Sequence, residues 1–367
     1  MNVGLDLRYS EVEETFRHSV KSLLRAKCQV SAVTAMYDGD RSIVGSLWRD
    51  LVADVGLAGI LIPEEHGGAG ATAREAAVVL EELGYFIAPV PFLTSAVVAT
   101  TAIVNSDDRG LLSSMASGDI TAALAVSFSS GEPPTGHITE AGGLTGRITS
   151  VAGALEADIL LVPVHTSQGS ELHAVPRTEA GVRVTPVISF DMTRQIADID
   201  LLNAPSTLVA STKTAELAVS RAMTVGAALL SSEQLGIATW CIRSAIEYLR
   251  ERRQFGRVVA SYQAIKHRLA DLSVQETMAR TAARYAAAAA AADFDLSIAV
   301  SLAQAYNSNV AVHAAEECVQ LHGGIGMTWE YPVHLYLKRA KADQIAFGTP
   351  GWHRAQLARL VDLGTDA

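Results

Sequence analysis

Two stretches of the sequence combine residue types that can grip a phosphate-bearing ligand. The first is Arg250-Glu251-Arg252-Arg253-Gln254-Phe255-Gly256-Arg257, followed after a short loop by Gln263. Arginine offers a planar fork of donors that matches phosphate oxygens, and Phe255 offers a face to a ring. Together they could hold a diphosphate and an adenine. The bland reading is a solvated helix end: Gly256 reads as a C-cap, and arginines near a helix C-terminus are favoured by the macrodipole. The second stretch is Gln320-Leu321-His322-Gly323-Gly324-Ile325-Gly326-Met327. Its glycines would let a ligand approach the backbone closely, or would simply turn the chain after a helix. No strand precedes it, so it is not a dinucleotide fingerprint, and Gly67 to Thr72 lacks the lysine of a P-loop.

A third group, His313, Glu316, Glu317, Cys318 and His322, has metal-ligand residue types. A di-iron bundle needs Glu-x-x-His twice plus two more carboxylates. Here the order is reversed and unrepeated, so the expectation is no metal and an ion pair between His313 and Glu317, four residues apart on one helix face.

These groups need elements to carry them. Apolar spacing of three and four predicts helices over Glu11–Ala26 and Ile43–Leu57, and Thr72 can cap another running to Leu83. From Ile120 to about Val209 the pattern changes to short β-rich runs: Thr121–Phe128, Leu144–Ser150, Ile159–His165, Glu171–Pro176, Val182–Ile188 and Gln195–Leu201. Their spacing suits an antiparallel sheet or barrel. Long Ala-rich helices follow: Thr214–Glu251, Ser261–Ala292, Leu296–Gln320, Pro332–Phe347 and Pro350–Leu363, as in an up-and-down bundle. The expected domains are 1–118 (helical), 119–212 (β) and 213–367 (helical bundle).

Composition narrows the function. Of 367 residues, 49% are apolar and 19% charged, ample for a globular core. The net charge of −10 argues against nucleic acid as a partner. Cys28, Cys241 and Cys318 are too scattered for a disulfide framework or a zinc site, which fits a cytoplasmic location. Leu83–Ser106 carries no charged residue, yet Pro89, Pro91 and several Ser and Thr favour a buried linker and core helix over a membrane span.

Taken together, these motifs resemble the acyl-CoA dehydrogenase family. The resemblance rests on Glu251-Arg252-Arg253-Gln254-Phe255-Gly256 ahead of Ala-Ile-Lys, on Gln320 to Gly326 followed by Glu330-Tyr331-Pro332, and on Gly59-Ile60-Leu61-Ile62-Pro63-Glu64-Glu65-His66-Gly67-Gly68. It implies a mainly α chain with an inserted β domain, FAD as cofactor, an acyl-CoA substrate and electron-transfer flavoprotein as acceptor. It also implies that Arg252 and Phe255 reach across a subunit interface to the ADP half of a neighbour's FAD. Gln254, standing where Thr is common, Gln263, Gln320, Gly323 and Gly324 match further positions of that half-site.

The departures fall on catalysis. The family's usual base is a Glu followed by Gly-Thr; here the segment is Gln344-Ile345-Ala346-Phe347-Gly348-Thr349, with Phe347 in the carboxylate's place. The alternative base position corresponds to Thr224-Val225-Gly226-Ala227, which has no acid, and the Arg that usually follows is absent. Glu233, seven residues on, is a displaced-base candidate or a buried helix–helix contact. The strands expected against the flavin ring read Ala125-Val126-Ser127-Phe128 and Leu144-Thr145-Gly146-Arg147, without the usual Thr-Glu-Pro or Trp. Removing the proton alpha to a thioester requires a base within hydrogen-bond reach, which phenylalanine cannot supply. The expectation is a base-lacking subunit of a heteromer, α2β2, paired with a related chain that carries the base, as in actinobacterial steroid side-chain degradation. The other readings are a homo-oligomer with a displaced base and a non-catalytic scaffold.

Overall fold

The computed structural model describes residues 5–131, 143–166 and 169–363. Its N-terminal helices begin where side chains can take up the free backbone donors. Ser10 and Glu13 form a capping box for α1 (Glu11–Lys27), and Thr72 and Glu75 form another for α4 (Ala73–Phe86). Between them lie α2 (Val30–Ala35) and α3 (Ser42–Val55), the latter ending at Gly56 in the left-handed conformation. The uncharged stretch after α4 becomes a fully buried π-helical turn, Phe92–Ala99, which continues into α5 (Thr100–Val104). Among the described residues no helix is long and apolar enough to cross a membrane. A short α6 (Leu112–Ala116) precedes the strands.

The β region forms two sheets rather than one antiparallel sheet or barrel. One has the order β1 (Ala122–Leu124), β3 (Ile159–Thr166), β4 (Gly169–Pro176), β7 (Thr207–Ser211). The other is β2 (Leu144–Ala152), β6 (Ile196–Ala204), β5 (Val182–Pro186). Because β2 joins the other sheet, the chain returns to β3 by a crossover, and β1 and β3 pair in parallel. The run expected over Thr121–Phe128 is strand only as far as Leu124, and β7 lies beyond the runs read from the sequence. Leu160, Val162 and Val175 of one sheet and Val151, Ile199 and Leu201 of the other belong to a second, smaller core.

The C-terminal bundle is built on α7 (Thr212–Glu251), about 60 Å long at 1.5 Å per residue. Against it lie α8 (Gln263–Ala292) and α9 (Leu296–His322), joined by α10 (Val333–Ile345) and α11 (Pro350–Leu360). Ala286 to Ala290 of the alanine run of α8 are buried, which explains them as close helix packing, while Ala291 and Ala292 at its end are exposed. α4 crosses α7 at two glycines. A Cβ on Gly84 would lie 2.2 Å from the Glu233 carbonyl oxygen, and one on Gly236 would lie 2.0 Å from that of Glu81. Any side chain there would force these helices apart.

Candidate functional site

The arginine cluster does not end in a glycine cap. α7 stops at Glu251, Arg252 is extended, and Arg253–Gln254 (β8) pairs with Arg257–Val258 (β9) in a two-residue hairpin. Its turn residues, Phe255 and Gly256, have φ of 51° and 77°. A two-residue loop with φ positive at both positions normally carries Asn-Gly. A phenylalanine there is strained, and its ring is 92% exposed. Neither burial nor local geometry accounts for this residue. The hairpin base is braced: the Arg257 guanidinium stacks 3.6 Å from the Tyr262 ring centroid, and the Tyr262 hydroxyl donates to the Gln254 carbonyl at 3.2 Å.

The glycine motif is held close by. His322 stacks between Tyr248 at the end of α7 and Tyr331, each centroid 4.5 Å away. Tyr331 is tied to α7 through the Ser244 hydroxyl, at 2.9 Å. His322 is therefore a buttress, and Tyr331 of the Glu-Tyr-Pro segment serves to cover it. Gly323 has φ 64° and ψ −141°, and a Cβ on Gly323 or Gly324 would meet nothing within 4 Å. Arg252, Gln254, Gln263 and Gln320 are all exposed, and among the described residues their side chains make no hydrogen bond or ion pair. Free donors, an exposed ring and an open glycine turn fit the ADP half of a dinucleotide held from outside.

The metal reading finds no support: among the described residues no group of three His, Cys, Asp or Glu could hold an ion. The expected His313–Glu317 ion pair is not formed either. His313 meets Gln275 at 2.9 Å, while Glu317 takes a two-pronged pair from Arg268 at 2.6 and 2.7 Å. Both side chains turn to the neighbouring helix α8. The three cysteines are free and buried.

The interior contrasts with this rim. Phe347 is 5% exposed, in the left-handed region (φ 53°), and its N–H donates to the Phe128 carbonyl at 2.8 Å. The two rings meet edge to face at 5.2 Å. A Cβ on Gly226 would lie 3.0 Å from Phe347 Cζ, so the segment Thr224–Ala227, read as the alternative base position on α7, sets a glycine against an aromatic ring. The following Gly-Thr has a folding role: Thr349 accepts the Trp352 N–H at 3.2 Å and caps α11, with Pro350 at its first position.

Glu233 sits in a buried ion network. Arg194, in the loop before β6, binds both its carboxylate oxygens at 2.5 and 2.6 Å, and Arg339 of α10 reaches it at 2.6 Å. Arg339 also holds Asp191 at 2.7 Å and Thr193 at 2.6 Å, and Arg194 holds Asp343 at 3.2 Å. Burial works against ionisation of Glu233, but the two arginines overcome it and hold its carboxyl below the usual range. Asp343 is pushed well above that range by burial and by the neighbouring Glu233. So Glu233 ties the middle region to the bundle, and a doubly paired carboxylate held below its ordinary pKa is a poor base.

Two cavities flank the aromatic pair. One, about 210 Å³, lies between α7, α9 and α11, beside Met223, Thr224, Ser301, Phe347 and His353. The other, about 390 Å³, lies beside Phe128, Ser150, Phe190, Arg194 and Ile345. Phe347 faces the first and Phe128 the second, and the Arg194 guanidinium sits 5.2 Å from the Phe128 ring centroid. These rings stand between the two cavities.

Comparison with known proteins gives this arrangement a family. Residues 10–106 match the acyl-CoA dehydrogenase N-terminal domain and residues 216–361 match the C-terminal domain. The chain is 32% identical over 351 residues to acyl-CoA dehydrogenase IpdE2 of Mycolicibacterium smegmatis, covering 96% of this chain and 98% of that one. Among solved structures, the ChsE4-ChsE5 complex of Mycobacterium tuberculosis superposes with a TM-score of 0.87 at 27% identity, over 98% of this chain and 100% of that one. A Tcur3481-Tcur3483 steroid acyl-CoA dehydrogenase superposes with a TM-score of 0.85 at 25% identity, over 97% and 99%. Sequence, fold and motifs agree: this chain belongs to the acyl-CoA dehydrogenase family of flavoprotein oxidoreductases, and has its fold.

Proposed function

We propose that this chain is the base-lacking subunit of a heteromeric acyl-CoA dehydrogenase and completes the FAD site of a related, base-bearing chain. The observation that carries this reading is the opposition between the rim and the interior. At the rim, Arg252, Gln254, Gln263 and Gln320 have no side-chain partner among the described residues, and Phe255 is exposed in a strained conformation. In the interior, Phe347 fills the base position and Glu233 is consumed by Arg194 and Arg339.

In this reading Arg252 donates to the diphosphate, the Phe255 ring stacks against the adenine, and Gln263 and Gln320 hydrogen-bond to the same ADP half. Gly323 and Gly324 let it approach the backbone. FAD, when bound, accepts the hydride as the acyl-CoA becomes the 2,3-enoyl-CoA. The base that takes the alpha proton comes from the other chain. The existence of relatives solved as two-chain complexes, one of them described as a steroid enzyme, supports a heteromer; an α2β2 stoichiometry and a steroid side-chain CoA ester as substrate are part of the proposal. Electron-transfer flavoprotein is the proposed acceptor, and the domains are proposed to divide at 1–118, 119–212 and 213–367.

The test is co-expression with the related chain that carries an intact Glu-Gly-Thr. A yellow heteromer that turns over acyl-CoA, beside a chain that alone is poorly soluble or poorly flavinated, is the expected result. Full flavin occupancy with robust turnover from this chain alone would overturn the reading.

A further inference from the structure

The strands of the middle region carry a line of groups that neither site above uses. His173 of β4 has both ring nitrogens engaged: Nε2 meets Glu171 Oε2 at 2.8 Å, and Nδ1 meets the Ser206 hydroxyl at 3.0 Å. Glu171 and His173 are two residues apart on one strand, so both project from the same face of their sheet. Ser206 lies on the link Pro205-Ser206 between β6 of one sheet and β7 of the other, so it sits where the two sheets part.

Each contact fixes a role. An ionised carboxylate only accepts, so Glu171 places the proton of the neutral imidazole on Nε2. Nδ1 is then the acceptor, and the Ser206 hydroxyl donates to it. Nucleophile, general base and orienting acid thus stand in the order that activates a serine. The groups are reachable: the His173 and Glu171 side chains are 12% and 25% exposed, and Ser206 is half-buried. The Ser206 N–H makes no hydrogen bond among the described residues. A free donor therefore stands beside the nucleophile, where negative charge develops on an attacked carbonyl oxygen. Leu208 pairs with His173 in the strand register, so it lies on the same face, and it is 47% exposed.

We propose that Ser206, His173 and Glu171 form a hydrolytic site for esters of small acyl groups. Ser206 Oγ attacks the ester carbonyl carbon while His173 Nδ1 takes its proton. The carbon–oxygen bond to the alcohol breaks, and the alcohol leaves with that proton. Water, deprotonated in turn by His173, then splits the acyl-serine into a carboxylic acid and the free hydroxyl. Ester and water are the only reactants, and the flavin has no part. Glu171 is a positioning residue: it fixes the ring's tautomer and offsets the charge that the ring gains. Leu208 offers the acyl group an apolar surface beside the nucleophile.

Two measurements on the full chain test this: reaction with a fluorophosphonate followed by mass-spectrometric peptide mapping, and turnover of p-nitrophenyl acetate. The label is expected on Ser206, and saturable turnover is expected from the same protein. Ser206→Ala should abolish both. His173→Gln should lower kcat by about a hundredfold or more, the share of a general base. Glu171→Gln should lower kcat while leaving KM unchanged, a split that a general loosening of the strand does not produce. Circular dichroism controls for folding in each variant. An unlabelled Ser206 in the folded wild-type chain, or turnover that survives Ser206→Ala, would overturn the proposal.

Discussion

The end of α7 and the centre of the bundle both carry arginines, but use them in opposite ways. At the rim, Arg252 and Arg253 are exposed, and among the described residues they make no ion pair. In the interior, Arg194 and Arg339 are shared among Glu233, Asp191 and Asp343, with side chains 10% and 2% exposed. Free guanidiniums cost little at a surface and are available to a ligand. Buried ones are tolerated only when each is paired, so they are spent on holding the fold. The unpaired polar groups of the rim therefore point outward, while the chain's own centre is filled by Phe128, Phe347 and an ion network.

Breaking the interior should give the largest effect. Arg339→Ala leaves Asp191 and Glu233 buried with fewer partners, and should lower stability by about 3–5 kcal/mol, read by denaturant unfolding. A loss near zero would mean that the network does not hold these regions together. Phe347→Glu asks whether the interior can be made catalytic. It should yield no turnover, because a base also needs substrate and flavin in position, and Gly226 and the Phe128 ring pack directly against the Phe347 side chain. Rapid turnover by this variant without the related chain would contradict that account.

How much of this was legible in the sequence differs between the two regions. The rim motifs are contiguous, and residue type alone marks Arg252, Phe255, Gln320 and the glycines. The hairpin geometry was not legible, because Phe-Gly is a poor two-residue turn and Gly256 suits a helix cap equally well. The absence of a base at Phe347 could be read directly. The fate of Glu233 could not, since its partners Arg194 and Arg339 are 39 and 106 residues away in sequence. Helices were well marked by periodicity. The strands were less so: periodicity gives a strand's face but not its neighbour, so the division into two sheets and the parallel β1–β3 pair were hidden.

Smaller effects sharpen the contrast at the rim. Phe255→Asn puts a residue suited to positive φ into the turn and should stabilise the chain by about 0.5–1 kcal/mol. It should also lower the flavin content of the heteromer by removing the ring. Stability and flavin content moving together would deny the ring an external role.

A separate effect comes from pH. Burial lowers His353 from 6.5 to about 4, and burial together with Lys338 does the same for His334. The folded chain thus binds fewer protons than the unfolded one between those values. The contribution of these two histidines to stability should be full above about pH 6.5 and fall as pH drops toward 4. In His353→Asn that slope should be shallower, and an unchanged slope would remove His353 from the explanation.

The central claim is that the arginine rim serves a flavin held mainly by another chain. The direct measurement is flavin absorbance per heteromer after Arg252→Ala, with circular dichroism as the folding control. Two charge-assisted hydrogen bonds to a diphosphate would change FAD affinity by roughly a hundredfold or more. The account predicts a marked fall in bound flavin and in the activity of the base-bearing chain, with helical content unchanged. Flavin content that stays at the wild-type level would make the cluster a solvated helix end and contradict the account.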